Sequence, residues 1–270
     1  KRPRGRPPKA VKDPKESKES KELKEPKEPR LAREPKEPKE PKQPLTIVSE
    51  RESALPEIPD DAPTEAVRAG SQAADPAFAA LIQRVGPCTA SPKPREPYEA
   101  LVRAIAHQQL HARAAEAILT RFMALVPGPF PSPAGTAALA DEQLRACGFS
   151  ASKVAAIRDI CARTLDGTVP SAAVAATLPD AALIERLVTI RGVGRWTVEM
   201  VLISTLGRPD VLPVDDFGVR EGWRLINGHE AQLRPRELAA VGEAWGPYRS
   251  TAAWYLWRAA DEGKKVKMPA

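Results

Sequence analysis

From Asp75 to the C-terminus the apolar residues recur every three or four positions almost everywhere, a spacing that gathers them on one face of a helix. Tyr98, Leu101, Val102, Ile105, Ala106 and Gln109 mark one such face, Val154, Ile157, Cys161 and Leu165 a second, and Leu183, Leu187 and Ile190 a third. Glycine and proline punctuate the pattern at Pro127-Gly128-Pro129, Pro131, Gly148, Gly167, Pro170, Pro179, Gly207, Pro213 and Gly246-Pro247. Asp75-Pro76 has the form of an N-cap followed by a first-turn proline. No convincing alternation of the kind a half-buried strand needs is present. The expectation is an all-α domain of about nine or ten short helices spanning residues 73–264.

The first 45 residues are a different polymer. They hold 11 Lys and 5 Arg against 8 Glu and 1 Asp, a net of +7, while the whole chain nets only +6. All of the positive excess therefore lies in this tail. Its prolines, its lack of any aromatic and its scarcity of apolar residues leave too little surface to bury against the chain entropy, so residues 1–72 are expected to be disordered. Between Lys15 and Pro44 the sequence repeats in threes, as in Lys24-Glu25-Pro26-Lys27-Glu28-Pro29, and proline at every third position favours an extended, solvated spacer. Residues 13–72 read as a tether.

Several classes drop out. No stretch approaches the roughly 18 consecutive apolar residues of a membrane span, and no apolar segment follows the basic start as in a signal peptide. A soluble, unexported protein is expected. Cys88, Cys147 and Cys161 are odd in number and widely spaced, which suits buried thiols in a reducing compartment rather than a disulfide framework or a Cys-x-x-Cys metal site. The abundance of Ala, Arg and Pro fits a GC-rich bacterial genome, so the expected location is the cytoplasm, at the nucleoid.

Two segments point to nucleic acid. Residues 1–12 open with Lys-Arg-Pro-Arg-Gly-Arg-Pro-Pro-Lys, and Arg4-Gly5-Arg6 between its prolines resembles an AT-hook, which lies along the narrow minor groove of A·T-rich DNA. The same residues equally suit a generic polybasic leader that binds any phosphate polymer. The second segment is Leu187-Val188-Thr189-Ile190-Arg191-Gly192-Val193-Gly194-Arg195-Trp196-Thr197-Val198. A helical pattern ends at Ile190, the two glycines make a tight turn, and a new helix starts at Arg195. Its first N–H groups form an anion site suited to a phosphate. Taken alone, a plain helix-helix turn explains this segment as well.

Twenty residues beyond Trp196 stands Asp216, within Val211-Leu212-Pro213-Val214-Asp215-Asp216-Phe217-Gly218-Val219-Arg220. One aspartate of this pair suits a helix cap. Hairpin, proline and aspartate together resemble the signature of the helix-hairpin-helix Gly/Pro-Asp superfamily of DNA glycosylases. Within it, the run Pro97–Leu110 resembles the early helix of 3-methyladenine DNA glycosylase II, and Trp245-Gly246-Pro247-Tyr248-Arg249-Ser250 with Ala252–Trp257 resembles its last helices.

That resemblance implies a monofunctional enzyme that flips alkylated purines, of the 3-methyladenine and 7-methylguanine type, out of double-stranded DNA and excises them, starting base-excision repair and leaving an abasic site. Asp216 is the implied catalytic carboxylate and Asp215 a neighbouring cap or support. Trp196 occupies the position where strand-cutting relatives carry a lysine nucleophile, so its indole is expected to stack on the cationic base instead. Gly192, Gly194 and Arg195 are expected at the DNA phosphates, and Gln109 is the candidate plug for the gap that the flipped base leaves. Tyr98, Trp254 and Trp257 are candidate pocket residues, although a helical core would also take them. No cofactor is implied beyond an optional monovalent cation at the hairpin, and no iron–sulfur loop or metal site is expected, His107 and His111 having no third ligand nearby. A monomer is expected.

Two rivals use the same residues differently. A non-catalytic DNA-binding chromatin protein would reuse the hairpin and the hook, but it needs neither Asp216 nor Trp196. A strand-cutting enzyme needs a nucleophilic lysine, and residues 97–260 contain just Lys153, far from the hairpin in sequence.

Overall fold

The computed structural model describes residues 76–267, with side chains to residue 263. Asp75, the tether and Arg4-Gly5-Arg6 lie outside the described residues. Within them are twelve α-helices and no strand. They are α1 (Pro76–Val85), α2 (Pro97–His107), α3 (Ala112–Met123), α4 (Pro133–Ala138), α5 (Asp141–Ala146), α6 (Ala151–Leu165), α7 (Ala172–Thr177), α8 (Asp180–Leu187), α9 (Arg195–Ser204), α10 (Phe217–Ile226), α11 (Pro235–Gly242) and α12 (Arg249–Lys267). A 3₁₀ turn at Glu243–Trp245 follows α11.

The all-α expectation holds, but the count exceeds nine or ten. The reason is physical: α4, α5 and α7 have six residues each, too few for an apolar period to register. Local caps start the helices instead. The side chains of Ser132, Ser150, Ser171 and Asp216 each accept from the N–H three residues on, a contact worth about 1 kcal/mol apiece. Pro97, Pro133 and Pro235 occupy first-turn positions where a missing N–H costs nothing.

Two separate cores result. The first gathers Leu101, Ile105, Leu119, Ile157, Leu183 and Leu202 from α2, α3, α6, α8 and α9. The second gathers Phe78, Leu81, Val219, Leu238, Tyr255 and Leu256 from α1, α10, α11 and α12. The described residues therefore begin in the second core, build the first, and return through the segment 205–216 between α9 and α10.

Within the second core α10 and α12 touch backbone to backbone. A Cβ placed on Gly222 would lie 2.0 Å from the carbonyl oxygen of Leu256, so no larger residue fits that crossing. The start of α12 is pinned to the 208–211 segment by Arg249, whose Nε and Nη2 donate to the two oxygens of Asp210 at 2.7 Å each. Ser250 adds a hydroxyl that donates to Arg208 O at 2.7 Å and accepts from Val211 N at 3.0 Å. Hydrogen bonds from Arg249 hold the Asp210 carboxyl below the usual carboxylate range.

Among the described residues no helix is long and apolar enough to cross a membrane. Cys147 and Cys161 are buried as expected. Cys88, however, is only partly so, because it precedes the Pro97 helix on a surface loop.

Candidate functional site

The hairpin forms between α8 and α9. Ile190 and Val193 are buried and anchor it, while Gly192, Gly194 and Arg195 are exposed. Gly192 adopts a φ of 76°, in the left-handed region that L side chains avoid. Its back rests on the first core, since a Cβ there would meet Ala156 Cβ at 3.2 Å and Ile105 Cδ1 at 3.5 Å. Gly194 caps α9 without any side-chain bond, so the first-turn N–H groups have no acceptor inside the helix. Together with the helix dipole they offer a site for an anion.

On that same first turn Trp196 is 44% exposed. Its indole Nε1 donates to Asp216 Oδ2 at 2.6 Å. The other oxygen of Asp216 accepts from Val219 N at 2.8 Å and from Trp257 Nε1 at 2.9 Å. Three N–H donors thus fix one carboxylate at the junction of the two cores, one indole from α9 and one from α12. Asp216, rather than Asp215, is the residue that caps α10, and Asp215 is exposed. The cap therefore falls on the same side chain that the resemblance makes the catalytic carboxylate.

A cavity of about 650 Å³ opens beside Trp196, between α2 and α9, lined among others by Arg95, Arg103, Gln109, Met200 and Thr205. Gln109 is exposed, and it alone among the non-glycine described residues has a positive φ, 57°. The next residue, Leu110, is 41% exposed at the tip of the α2–α3 turn. Sequence reading passed over it, although an apolar side chain between two polar ones in a short turn is the signal that could have marked it.

Tyr98 and Trp254 need correction. Tyr98 lies in the first core, 6% exposed, with its hydroxyl donating to Thr136 Oγ1 at 2.9 Å, because it shares the inward face of α2 with Leu101, Val102 and Ile105. Burial pushes its phenol well above the usual tyrosine range. Trp254 packs edge-on against Tyr255 at 5.0 Å, beneath the Arg258 guanidinium, and lines neither Asp216 nor the cavity beside Trp196. Of the three aromatics named for the pocket, only Trp257 meets the carboxylate, and it does so through its N–H edge.

The structure adds one acid that sequence reading missed. Glu199, one turn beyond Arg195, is 2% exposed and accepts from Arg195 Nε at 2.8 Å. Burial raises its pKa against the pull of Arg195, and the charges of Asp215 and Asp216 raise it further. The i, i+4 spacing was visible, but burial was not. His107, first of the i, i+4 histidine pair, has its Nε2 3.1 Å from Glu116 Oε1. Lys153, distant from the hairpin in sequence, donates to Ala106 O and Gln108 O at 2.8 Å each, at the end of α2 from which Gln108 reaches the hairpin.

A glycine hairpin leading into a helix, followed by a carboxylate oriented by indoles from two cores, defines a helix-hairpin-helix protein with a preorganised acidic centre. Residues 102–247 match the family described as HhH-GPD superfamily base excision DNA repair protein, and the chain belongs to that superfamily. It is 44% identical over 179 residues to DNA-3-methyladenine glycosylase 1 of Schizosaccharomyces pombe, a match covering 64% of this chain and 78% of that protein. Among solved structures it resembles the 3-methyladenine DNA glycosylase of the same yeast in complex with abasic DNA, with a TM-score of 0.65 and 39% identity over 71% of this chain and 95% of that one. It also resembles a DNA-3-methyladenine glycosidase from Bacillus halodurans, with a TM-score of 0.67 and 34% identity over 74% of this chain and 91% of that one.

Proposed function

We propose that this chain is a monofunctional DNA glycosylase that extrudes alkylated purines from duplex DNA, excises them by hydrolysis and leaves an abasic site for base-excision repair. The observation that carries the reading is Asp216, whose two oxygens are held by Val219 N, Trp257 Nε1 and Trp196 Nε1 next to the hairpin. As the N-glycosidic bond stretches, positive charge builds on the deoxyribose, and a carboxylate already oriented by the protein stabilises it without reorganising. Such groups contribute on the order of 3–4 kcal/mol. The bonding pair leaves with the purine and cancels the charge that alkylation gave it, so no strong general acid is required. Water supplies the hydroxyl that completes the sugar, its proton passing to Asp216 or to solvent.

The exposure of Trp196 supports stacking on a cationic base, an interaction worth roughly 1–2 kcal/mol. Substrates of the 3-methyladenine and 7-methylguanine type fit that chemistry. The N–H groups after Gly192 and Gly194, with Arg195, hold a backbone phosphate, directly or across a monovalent cation. Hydrolysis of this kind needs no other cofactor. Leu110 or Gln109 fills the space vacated by the base, an apolar wedge being the side chain that intercalates with least loss of solvation. The domain of residues 73–264 acts as a monomer at the nucleoid of a bacterial cytoplasm. Residues 1–12 hold DNA phosphates or an A·T-rich minor groove, and residues 13–72 tether them, raising the local concentration of substrate.

The test is release of free purine from methylated duplex DNA by the intact protein and by Asp216→Asn. Wild type should release methylated purines and leave the strand whole until alkali is added, and Asp216→Asn should release them at least a hundredfold more slowly. If both proteins bind DNA and neither releases a base, the chain is a clamp and Asp216 is only a cap.

A further inference from the structure

One polar connection outside the carboxylate joins three pieces of backbone. The α2 helix ends in a turn that is poorly favoured on its own: Gln109 sits in the left-handed region, and Leu110 stands out toward solvent. From below, Lys153 of α6 donates to Ala106 O and Gln108 O at 2.8 Å each, placing an ammonium where the unpaired carbonyls and the negative end of the helix dipole meet. From the side, Gln108 Nε2 donates to Gly192 O at 3.0 Å. Gly192 in turn lies against Ile105 of α2 and Ala156 of α6. Hairpin, turn and α6 therefore hold one another through polar bonds on one side and apolar contact on the other.

We infer that Gln108 is a positioning residue, setting the register between the turn that carries Gln109 and Leu110 and the hairpin that grips phosphate, so that filling the duplex and holding its backbone occur as one event. The inference rests on the glycosylase reading above. A hairpin that grips one phosphate fixes where the strand runs. A plug on an independently moving turn then enters the stack only part of the time. The amide of Gln108 removes that freedom, and Lys153 keeps the amide's own backbone from unwinding. With its amide engaged on Gly192 O, Gln108 acts through the hairpin, so its effect is confined to substrates whose base must be forced out of the stack.

That confinement gives the test. Gln108→Glu keeps the size of the side chain but faces Gly192 O with an acceptor in place of a donor. Gln108→Lys restores a donor. Single-turnover release is measured on a methylated purine opposite its normal partner and on the same purine in a mispair, where extrusion costs less. The fluorescence of 2-aminopurine beside the lesion reports unstacking, and thermal melting reports the fold. Gln108→Glu should be tenfold or more slower on the paired lesion and within threefold of wild type on the mispair. It should lose the fluorescence rise and keep its melting temperature, and Gln108→Lys should recover most of the paired rate. Should Gln108→Glu fail to fold, Gln108→Ala carries the same comparison. Equal loss on both substrates, or no loss on the paired one, overturns the inference. Absence of base release by wild type would overturn the glycosylase reading instead.

Discussion

Trp196 presents two functions on one ring, and they can be separated. Its edge donates to Asp216 Oδ2 at 2.6 Å, and the residue as a whole is 44% exposed and lines the cavity. Trp196→Phe removes the donor and keeps an aromatic face. A hydrogen bond to a charged group is worth about 1.5–3 kcal/mol, and at this exposure water replaces part of it, so the low end applies. About 1.5 kcal/mol of lost orientation corresponds to roughly a tenfold slower chemical step. Trp196→Leu removes the face as well, and with it roughly 1–2 kcal/mol of cation–π attraction, a further loss of about five- to thirtyfold that falls on a cationic base alone. Single-turnover release from duplexes carrying either 7-methylguanine, which is cationic, or hypoxanthine, which is neutral, reads both effects. Phe should slow the two lesions alike, and Leu should then widen the gap between them. If Leu slows both lesions equally, stacking on charge is not what the face does. If Phe leaves both rates unchanged, the indole bond does not orient the carboxylate.

Two further outcomes follow from charge. Because burial raises the pKa of Glu199, the folded protein binds that proton more tightly than the unfolded chain, so this group's share of stability is greatest at low pH and is lost as pH rises through its folded pKa. The melting temperature of Glu199→Gln relative to wild type should therefore climb across that window, and a difference that stays flat with pH refutes the argument. Deleting residues 1–12, which carry six Lys and Arg, should make DNA affinity fall less steeply with salt, the slope easing by up to about 0.9 for each phosphate no longer neutralised, whereas an unchanged slope retires the tail as a DNA-binding element.

The parts of the site legible in the sequence were those whose chemistry demands particular residue types at particular spacing. A turn with a φ of 76° requires Gly192, and a cap whose carboxylate accepts the first-turn N–H and two indoles requires an acid such as Asp216. Helical content was legible for a related reason, since apolar periodicity and core packing are the same fact seen at two scales. The six-residue helices α4 and α7 were not, because serine caps rather than periodicity define them. Aromatic roles were the least legible. Tyr98, Trp254 and Trp257 differ little as sequence, yet one is core, one packs on its own helix and one bonds Asp216. Which edge of a ring faces which neighbour depends on how helices cross, and that information is tertiary. Glu199 illustrates the same limit, its spacing from Arg195 reading as a surface pair until the fold encloses it.

The crossing at Gly222 makes the two indole bonds to Asp216 unequal. With α10 and α12 in backbone contact, Asp216 at the head of one and Trp257 on the other form a single block, whereas Trp196 stands on α9, a helix of the opposite core. Any widening of the seam between the cores stretches the Trp196 bond first and leaves the Trp257 bond intact. The molecule thus carries its own strain gauge: one tryptophan reports the integrity of a block, and the other reports whether the seam is shut.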